Sequence, residues 1–251
     1  MLRFFTNHHL IPGCTLELEP SAARHVQVLR LQPGDAIMLF NGLGNQAVDK
    51  LEYGDHAAVI QAMGRASVSV VVGSFVKAQQ DTVRKVHIAL GMPANDRMDW
   101  LVEKATELGV SSIAPLMTER SVLRLQGERL IKKLAHWRGI AIAASEQCGR
   151  SQVPLIHAPV NLSAYLKELH AVPCEAAHVR LLSSLKAGAP ALVEIAAGHT
   201  AFTLLSGPEG GLTPGEELAA LAAGFASISL GSRTLRAETA PLAALAFLQL
   251  L

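Results

Sequence analysis

Residues Thr200 to Glu217 read TAFTLLSGPEGGLTPGEE. The apolar run TAFTLLS predicts a strand, GPEGG halts it, and TPGEE opens a helix. Thr213 with Glu216 predicts a capping box, and Pro214 stands at the first helical position, where its missing N–H is harmless. Strands that feed helices through glycine turns are the units of a largely parallel sheet. The glycines leave two readings open. One is a tight turn that needs positive φ; the other is a bare main-chain surface on which a ligand lies.

A second break of the same kind follows about twenty residues on. In ISLGSRTLRAETAPL, Ile228 to Leu242, a strand again stops at a glycine, Gly231. Arg233, Arg236, Glu238 and Thr239 come next, before an apolar helix. Two arginines there read either as surface charge or as an anion-facing pair, and the repetition in consecutive strand-to-helix turns favours a site.

Working outward, strands alternate with helices from about Val76 onward. VHIALGM is a strand, and Asn95 or Asp96 is placed to cap a helix carrying Met98, Leu101, Val102, Ala105 and Leu108 at helical spacing, up to Gly109. SSIAPLM, PLIHAP, HVRLLSS, TAFTLLS and ASISLG read as strands; Glu128 to Gln147, LSAYLKELH, TPGEELAALAAG and ETAPLAALAFLQLL read as helices. Before Val76 the pattern is different. SAARHVQVLRL suggests one short helix, and then AIMLF, QAVDKL, HAAVIQAM and VSVVVGS read as strands separated by NGLGN and YGD turns. The expectation is an α/β protein of two domains: residues 1–75 as a small β-rich, barrel-like unit, and residues 76–251 as an α/β domain.

The chain has 251 residues and a formal net charge of +1, which hides segregation. Residues 76–150 carry 12 Lys and Arg against 8 Asp and Glu, whereas both flanks are slightly acidic. Within Arg120 to Arg138, the six cations Arg120, Arg124, Arg129, Lys132, Lys133 and Arg138 face only Glu128. This is either a solvated helix face or the footprint of an anionic partner. Cys14, Cys148 and Cys174 are widely spaced and lack any CxxC pair, so neither a disulfide framework nor a zinc site is suggested, and a reducing, cytoplasmic location is expected. No stretch is apolar enough over about 18 residues to predict a membrane span. GxxxxGK[ST], a strand-borne GxGxxG, GxSxG and HExxH are all absent, and no metal is expected.

Together GPEGG and LGSRTLRAETA resemble the signature of the RsmE family, the 16S ribosomal RNA uridine-N3 methyltransferases of the SPOUT superfamily. RFF at Arg3 to Phe5, VLRLQPGD at Val28 to Asp35, EKATELGV at Glu103 to Val110, TERS at Thr118 to Ser121 and SEQCGR at Ser145 to Arg150 extend the likeness along nearly the whole chain. Leu212 and Thr234 depart from it, where Phe and Ile or Val are more usual.

The resemblance implies an N-terminal PUA-like β-barrel for RNA and a SPOUT-type methyltransferase domain whose C-terminal chain threads a trefoil knot. It implies S-adenosylmethionine as cofactor, held largely by main chain, with Leu182, Leu205, Gly207, Gly210, Leu230, Gly231 and Leu235 as contacts. The glycines of GPEGG would then be there to make room for the adenosine. Arg236, and after it Arg233, would stabilise charge on the base or bind phosphate. Glu209 or Glu238 would take the N3 proton, or else serve as a capping or salt-bridge carboxylate. Arg3, Arg30, Arg120, Arg124, Arg129, Lys132 and Lys133 would bind RNA, as 16S rRNA or the small ribosomal subunit, and the enzyme would be a homodimer. A SPOUT-type enzyme for another nucleotide and a noncatalytic ribosome-assembly protein are the alternatives.

Overall fold

The computed structural model describes residues 1–43, 45–47, 50–78, 84–171, 176–184 and 188–250. The chain folds as two compact units, Met1–Asp81 with Ile142–Val153, and Thr82–Ala141 with Pro154–Leu251.

In the first unit the elements are β1 (Arg3–Phe5), β2 (Thr15–Glu17), α1 (Pro20–Val28), β3 (Ala36–Phe40), β4 (Asn45–Ala47), β5 (Lys50–Glu52), β6 (Gly54–Met63) and β7 (Val68–Lys77). A five-stranded sheet runs β1-β3-β6-β7-β2, parallel only between β1 and β3. Alternation along β3 and β7 sends Ile37, Leu39, Val68, Val70 and Val72 to one face, where Ala22, Ala23 and Val26 of α1 close over them.

Two expectations are corrected in this unit. QAVDKL is not one strand: Gln46 and Ala47 belong to β4, Lys50 and Leu51 to β5, and Val48 and Asp49 lie outside the described residues. YGD is not a turn, because Gly54 and Asp55 are already in β6. Asp55 is buried in a strand because Arg3 answers its charge, with Nε donating at 2.6 Å and Nη2 at 2.9 Å, and Ser151 Oγ donates at 2.6 Å.

The second unit contains β8 (Lys85–Gly91), α2 (Asn95–Glu107), β9 (Ser112–Met117), α3 (Gly127–Cys148, as far as Ala141), β10 (Leu155–Ile156), β11 (Val160–Asn161), α4 (Leu162–Ala171), β12 (His178–Ser183), α5 (Leu192–Ala196), β13 (Ala201–Ser206), α6 (Pro214–Ala222), β14 (Ala226–Ile228) and α7 (Thr239–Leu250). Its sheet runs β10-β9-β8-β13-β12-β14, with β11 also on β9, and every pairing is parallel. Strands buried on both faces need near-continuous apolar runs, which TAFTLLS and VHIALGM supply. One face packs Ala89, Leu116, Leu182 and Leu205 against Leu162, Leu166, Ala220 and Phe225 from the α4 and α6 region. The capping box at the start of α6 is present in both directions, Glu216 N to Thr213 Oγ1 at 3.3 Å and Thr213 N to Glu216 Oε2 at 2.9 Å.

At the opposite end of this sheet from the glycine turns, His87 of β8 lies 2.8 Å from Ser112 Oγ, and its ring is 6.0 Å from that of His178. Burial, then the neighbouring His178, His157 and Lys85, push His87 down from 6.5 to about 4. The unfolded chain therefore binds this proton at a higher pH than the folded one. Stability should fall as pH drops from 6.5 toward about 4. Urea melts across that window should show the slope, and His87→Gln should flatten it.

Candidate functional site

The carboxyl ends of β12, β13 and β14, three neighbours in the parallel sheet, open into a cleft of about 680 Å³. Ser183 and Ser184 leave β12, Ser206 to Glu209 and Gly211 leave β13, and Ile228 to Ala237 leave β14; Arg97, Gly188, Ala189 and Ala240 complete the lining. Ligands of open α/β sheets collect at this end because successive strand-to-helix loops meet there.

Of the residues singled out in the sequence, the cleft brings together Gly207, Glu209, Leu230, Gly231, Arg233, Leu235 and Arg236. Leu182, Leu205, Gly210 and Glu238 are not part of its lining. Leu182 and Leu205 point into the apolar cluster with Ala220 and Phe225. Strand alternation turns the next residues, Ser183 and Ser206, the other way, and these two line the cleft. Ser206 Oγ is buried there without a hydrogen-bond partner among the described residues, so the wall offers a polar group to a ligand. Gly210 faces outward, and its carbonyl accepts from Arg120 Nη1 at 2.7 Å.

Of the two readings the glycines left open, the tight turn is visible in the loop's own geometry. A Cβ on Gly207 would fall 2.6 Å from Leu212 N and 2.7 Å from Gly211 C, so the loop's own main chain occupies that space. Gly211 and Gly231 have φ of +68° and +105°, where L side chains are strained, and nothing crowds either of them. The turn is thus tight in itself, and the cleft is what its folding leaves open.

Glu209 and Glu238 meet the same cation. Glu209 Oε1 accepts from Ala94 N at 3.0 Å and from Arg97 Nη1 at 3.3 Å, while Glu238 Oε1 lies 3.8 Å from Arg97 Nε. α2 already begins at Asn95, so the capping position falls not on Asn95 or Asp96 but on Ala94, which has no side-chain acceptor, and Glu209 supplies the carboxylate from a distant loop. Glu238 is buried, with Oε2 lacking a hydrogen-bond partner among the described residues, whereas Glu209 is exposed. Arg233 and Arg236 are exposed in the cleft and form no ion pair with a described residue. Arg97 and the serines were missed in the sequence, and only their position after predicted strands, or in the first turn of a helix, could have drawn attention to them.

The basic stretch divides. Arg120 holds the GPEGG loop, through Gly210 O and Leu212 O, and Arg124 Nη2 donates to Thr118 O and Glu119 O. Arg129, Lys132, Lys133 and His136 line a shallow groove on α3 with Glu128. Lys132 is 3.5 Å from Glu128, and Lys133 is 4.0 Å from Asp99, which also takes His136 Nε2 at 2.8 Å and the buried Trp137 Nε1 at 3.0 Å. In the first unit, Arg3 is held by Asp55 and Ser145 O and lies over the Phe40 ring, while Arg30 is exposed at the end of α1 with φ of 57°. Cys14 and Cys148 are exposed free thiols, and Cys174 lies outside the described residues. Among the described residues no group of three or more His, Cys, Asp or Glu is placed to hold a metal, and no helix is long and apolar enough to cross a membrane.

Residues 79–249 match the family described as an RNA methyltransferase domain, and residues 18–48 match the RNA methyltransferase PUA domain. The ribosomal RNA small subunit methyltransferase E of Bacillus subtilis is 30% identical over 98% of this chain and 94% of its own length. The protein of the same name from Rickettsia conorii is 32% identical over 99% and 95%. Among solved structures, a Legionella pneumophila methyltransferase in complex with the cofactor SAM superposes with a TM-score of 0.88 at 33% identity, covering 99% of this chain and 97% of that one. The Neisseria gonorrhoeae ribosomal RNA small subunit methyltransferase E bound to S-adenosyl methionine gives 0.86 at 32% identity, over 100% and 97%.

Proposed function

The chain belongs to the ribosomal RNA small subunit methyltransferase E family, and from that premise we propose that it transfers a methyl group from S-adenosylmethionine to N3 of a uridine in 16S ribosomal RNA. The observation that carries this reading is the cleft at the ends of β12, β13 and β14, into which both glycine-bearing loops open and where the buried hydroxyl of Ser206 has no hydrogen-bond partner among the described residues. In this reading the first unit is the PUA-like RNA-binding domain expected at residues 1–75, extended through Asp81 and joined by Ile142–Val153, and the second unit is the knotted methyltransferase domain. The enzyme acts in the cytoplasm on 16S rRNA or the small subunit, as a homodimer.

When bound, the donor supplies an electrophilic methyl group on a sulfonium. Gly207 to Glu209, Gly211 and Ser229 to Leu235 would hold the donor, and so align the two reacting partners. Uracil N3 carries a proton that must leave, which generates negative charge on the base. Arg236 and Arg233 face the cleft with no carboxylate answering them among the described residues, and they stabilise that charge or an adjacent phosphate. Of the two carboxylates, Glu209 is the better placed to take the proton. It lines the cleft, and its contacts with Ala94 and Arg97 both use Oε1, while Glu238 is buried beside Arg97.

The direct test is incubation of the purified chain with labelled S-adenosylmethionine and small subunits lacking the modification, followed by nucleoside mass spectrometry. Label in N3-methyluridine is the expected result. Label in another nucleoside would point to a different target, and binding of RNA without transfer would point to a noncatalytic assembly protein.

The α3 groove is the proposed RNA face of the second unit. Lys132→Ala with Lys133→Ala should weaken RNA binding and reduce the slope of log affinity against log salt by about one to two, since each phosphate contact contributes nearly one. Donor affinity should stay unchanged in calorimetry. Wild-type RNA affinity and salt slope in the double variant would remove this groove from the interface.

A further inference from the structure

Arg97 stands in the first turn of α2, yet its guanidinium joins two loops that come from much later in the chain. Nη1 reaches Glu209, in the loop after β13, at 3.3 Å, and Nε reaches Glu238, at the end of the segment after β14, at 3.8 Å. These are the two glycine-bearing loops that wall the cleft, and Arg97 itself contributes to the lining. Glu209 is further fixed by the N–H of Ala94, so α2, the loop after β13 and the segment before α7 are all tied at one point. Glu238 is buried, its second oxygen has no hydrogen-bond partner among the described residues, and Arg97 is the cation paired with it.

We infer that Arg97 is a positioning residue, which registers the two cleft loops against each other through Glu209 and Glu238 so that the donor meets one preformed wall. The inference rests on the cleft being the donor site. Its physical basis is that loops free to move independently spend part of their time in arrangements that do not bind, and apparent affinity falls by the competent fraction. The role calls for arginine, because one rigid, extended cation hydrogen-bonds Glu209 through Nη1 while its Nε edge faces the Glu238 carboxylate, whereas a lysine ammonium is a single point on a flexible stem.

The test is calorimetric affinity for S-adenosylmethionine in the full chain, compared in two backgrounds. Arg97→Ala should weaken donor binding by about tenfold, in the range of ordinary coupling between sites. In the Glu209→Gln, Glu238→Gln background the same change should cost less than about twofold, because the route through which Arg97 acts is already gone. Arg97→Lys should remain weakened. Thermal melts establish that each variant is folded; should Arg97→Ala not fold, Glu238→Gln, outside the cleft lining, carries the test, with a loss of donor affinity expected and unchanged affinity overturning the role. An equal loss in both backgrounds would mean that Arg97 acts on the ligand directly and would overturn the positioning role, as would full recovery by lysine or unchanged affinity in folded Arg97→Ala. Failure of the wild-type chain to bind the donor at all would overturn the functional reading and this inference together.

Discussion

Gly207→Ala should reduce the affinity for S-adenosylmethionine by about a hundredfold, the scale on which displacement of a positioned group by roughly an ångström is felt. The added methyl group would sit 2.6 Å from Leu212 N, 2.7 Å from Gly211 C and 2.9 Å from Gly211 Cα. All three are main-chain atoms, so no side chain can swing away; the turn itself must open. Opening it shifts Gly211 in the cleft wall, Glu209 with its hold on α2, and the buried Leu212 beneath. Gly210→Ala is the control. There a Cβ would meet only the side chain of exposed Arg120, the nearest atom at 3.2 Å, and a shift of a few tenths of an ångström relieves it. Calorimetry on both variants separates a requirement for this turn from a general intolerance of the loop. Normal donor binding by a folded Gly207→Ala protein would show that the cleft is not built from this turn, and Gly210→Ala should stay within a few-fold of wild type.

The contrast between these two glycines shows what the sequence could and could not disclose. That GPEGG ends a strand and precedes a capped helix follows from neighbours within four residues, and the capping box is found as expected. Which glycine is indispensable, and why, depends on how the turn closes on itself. Leu212 N against Gly207 is a relation of folded geometry, not of composition. The same limit explains the end of α2. Asn and Asp at a helix start are good local caps, so Asn95 and Asp96 were reasonable expectations. The acceptor at Ala94 N comes instead from Glu209, in the loop after the neighbouring strand β13 but far along the chain, and no periodicity announces it.

In the first unit, turn-forming residue types misled for a related reason. Gly54 and Asp55 favour turns in isolation, but burial beside Arg3 gives Asp55 a partner that local propensity does not count. The three-residue strands β1 and β2 are too short to carry a period and exist because longer neighbours pair with them. For the site, the arginines and glycines of the two loops were legible as unusual residues after strands. The serines were not, since a serine ending a strand is ordinary until the structure leaves its hydroxyl buried and alone.

Arg236→Ala should lower the methyl-transfer rate at saturating substrates by about a hundredfold or more, the usual cost of removing one group that stabilises developing negative charge. Arg236 is exposed in the cleft wall without an ion pair to a described residue, so its charge is available to whatever enters. Two roles are open to such a cation, and they give different measurements. If it stabilises the uracil anion, single-turnover rates fall while RNA affinity and its salt dependence hold, and the residual rate climbs as the pH is raised, because solution then removes the N3 proton unaided. If it holds a phosphate, the loss appears in RNA affinity, and the salt slope drops by about one. Arg233→Ala, farther from α7 in the same segment, provides the comparison. Donor affinity measured in both variants should stay within about twofold of wild type, since main chain rather than these side chains forms the proposed donor wall. A rate and an RNA affinity both unchanged in Arg236→Ala would remove this arginine from the chemistry and leave Arg233 as the cation of the cleft.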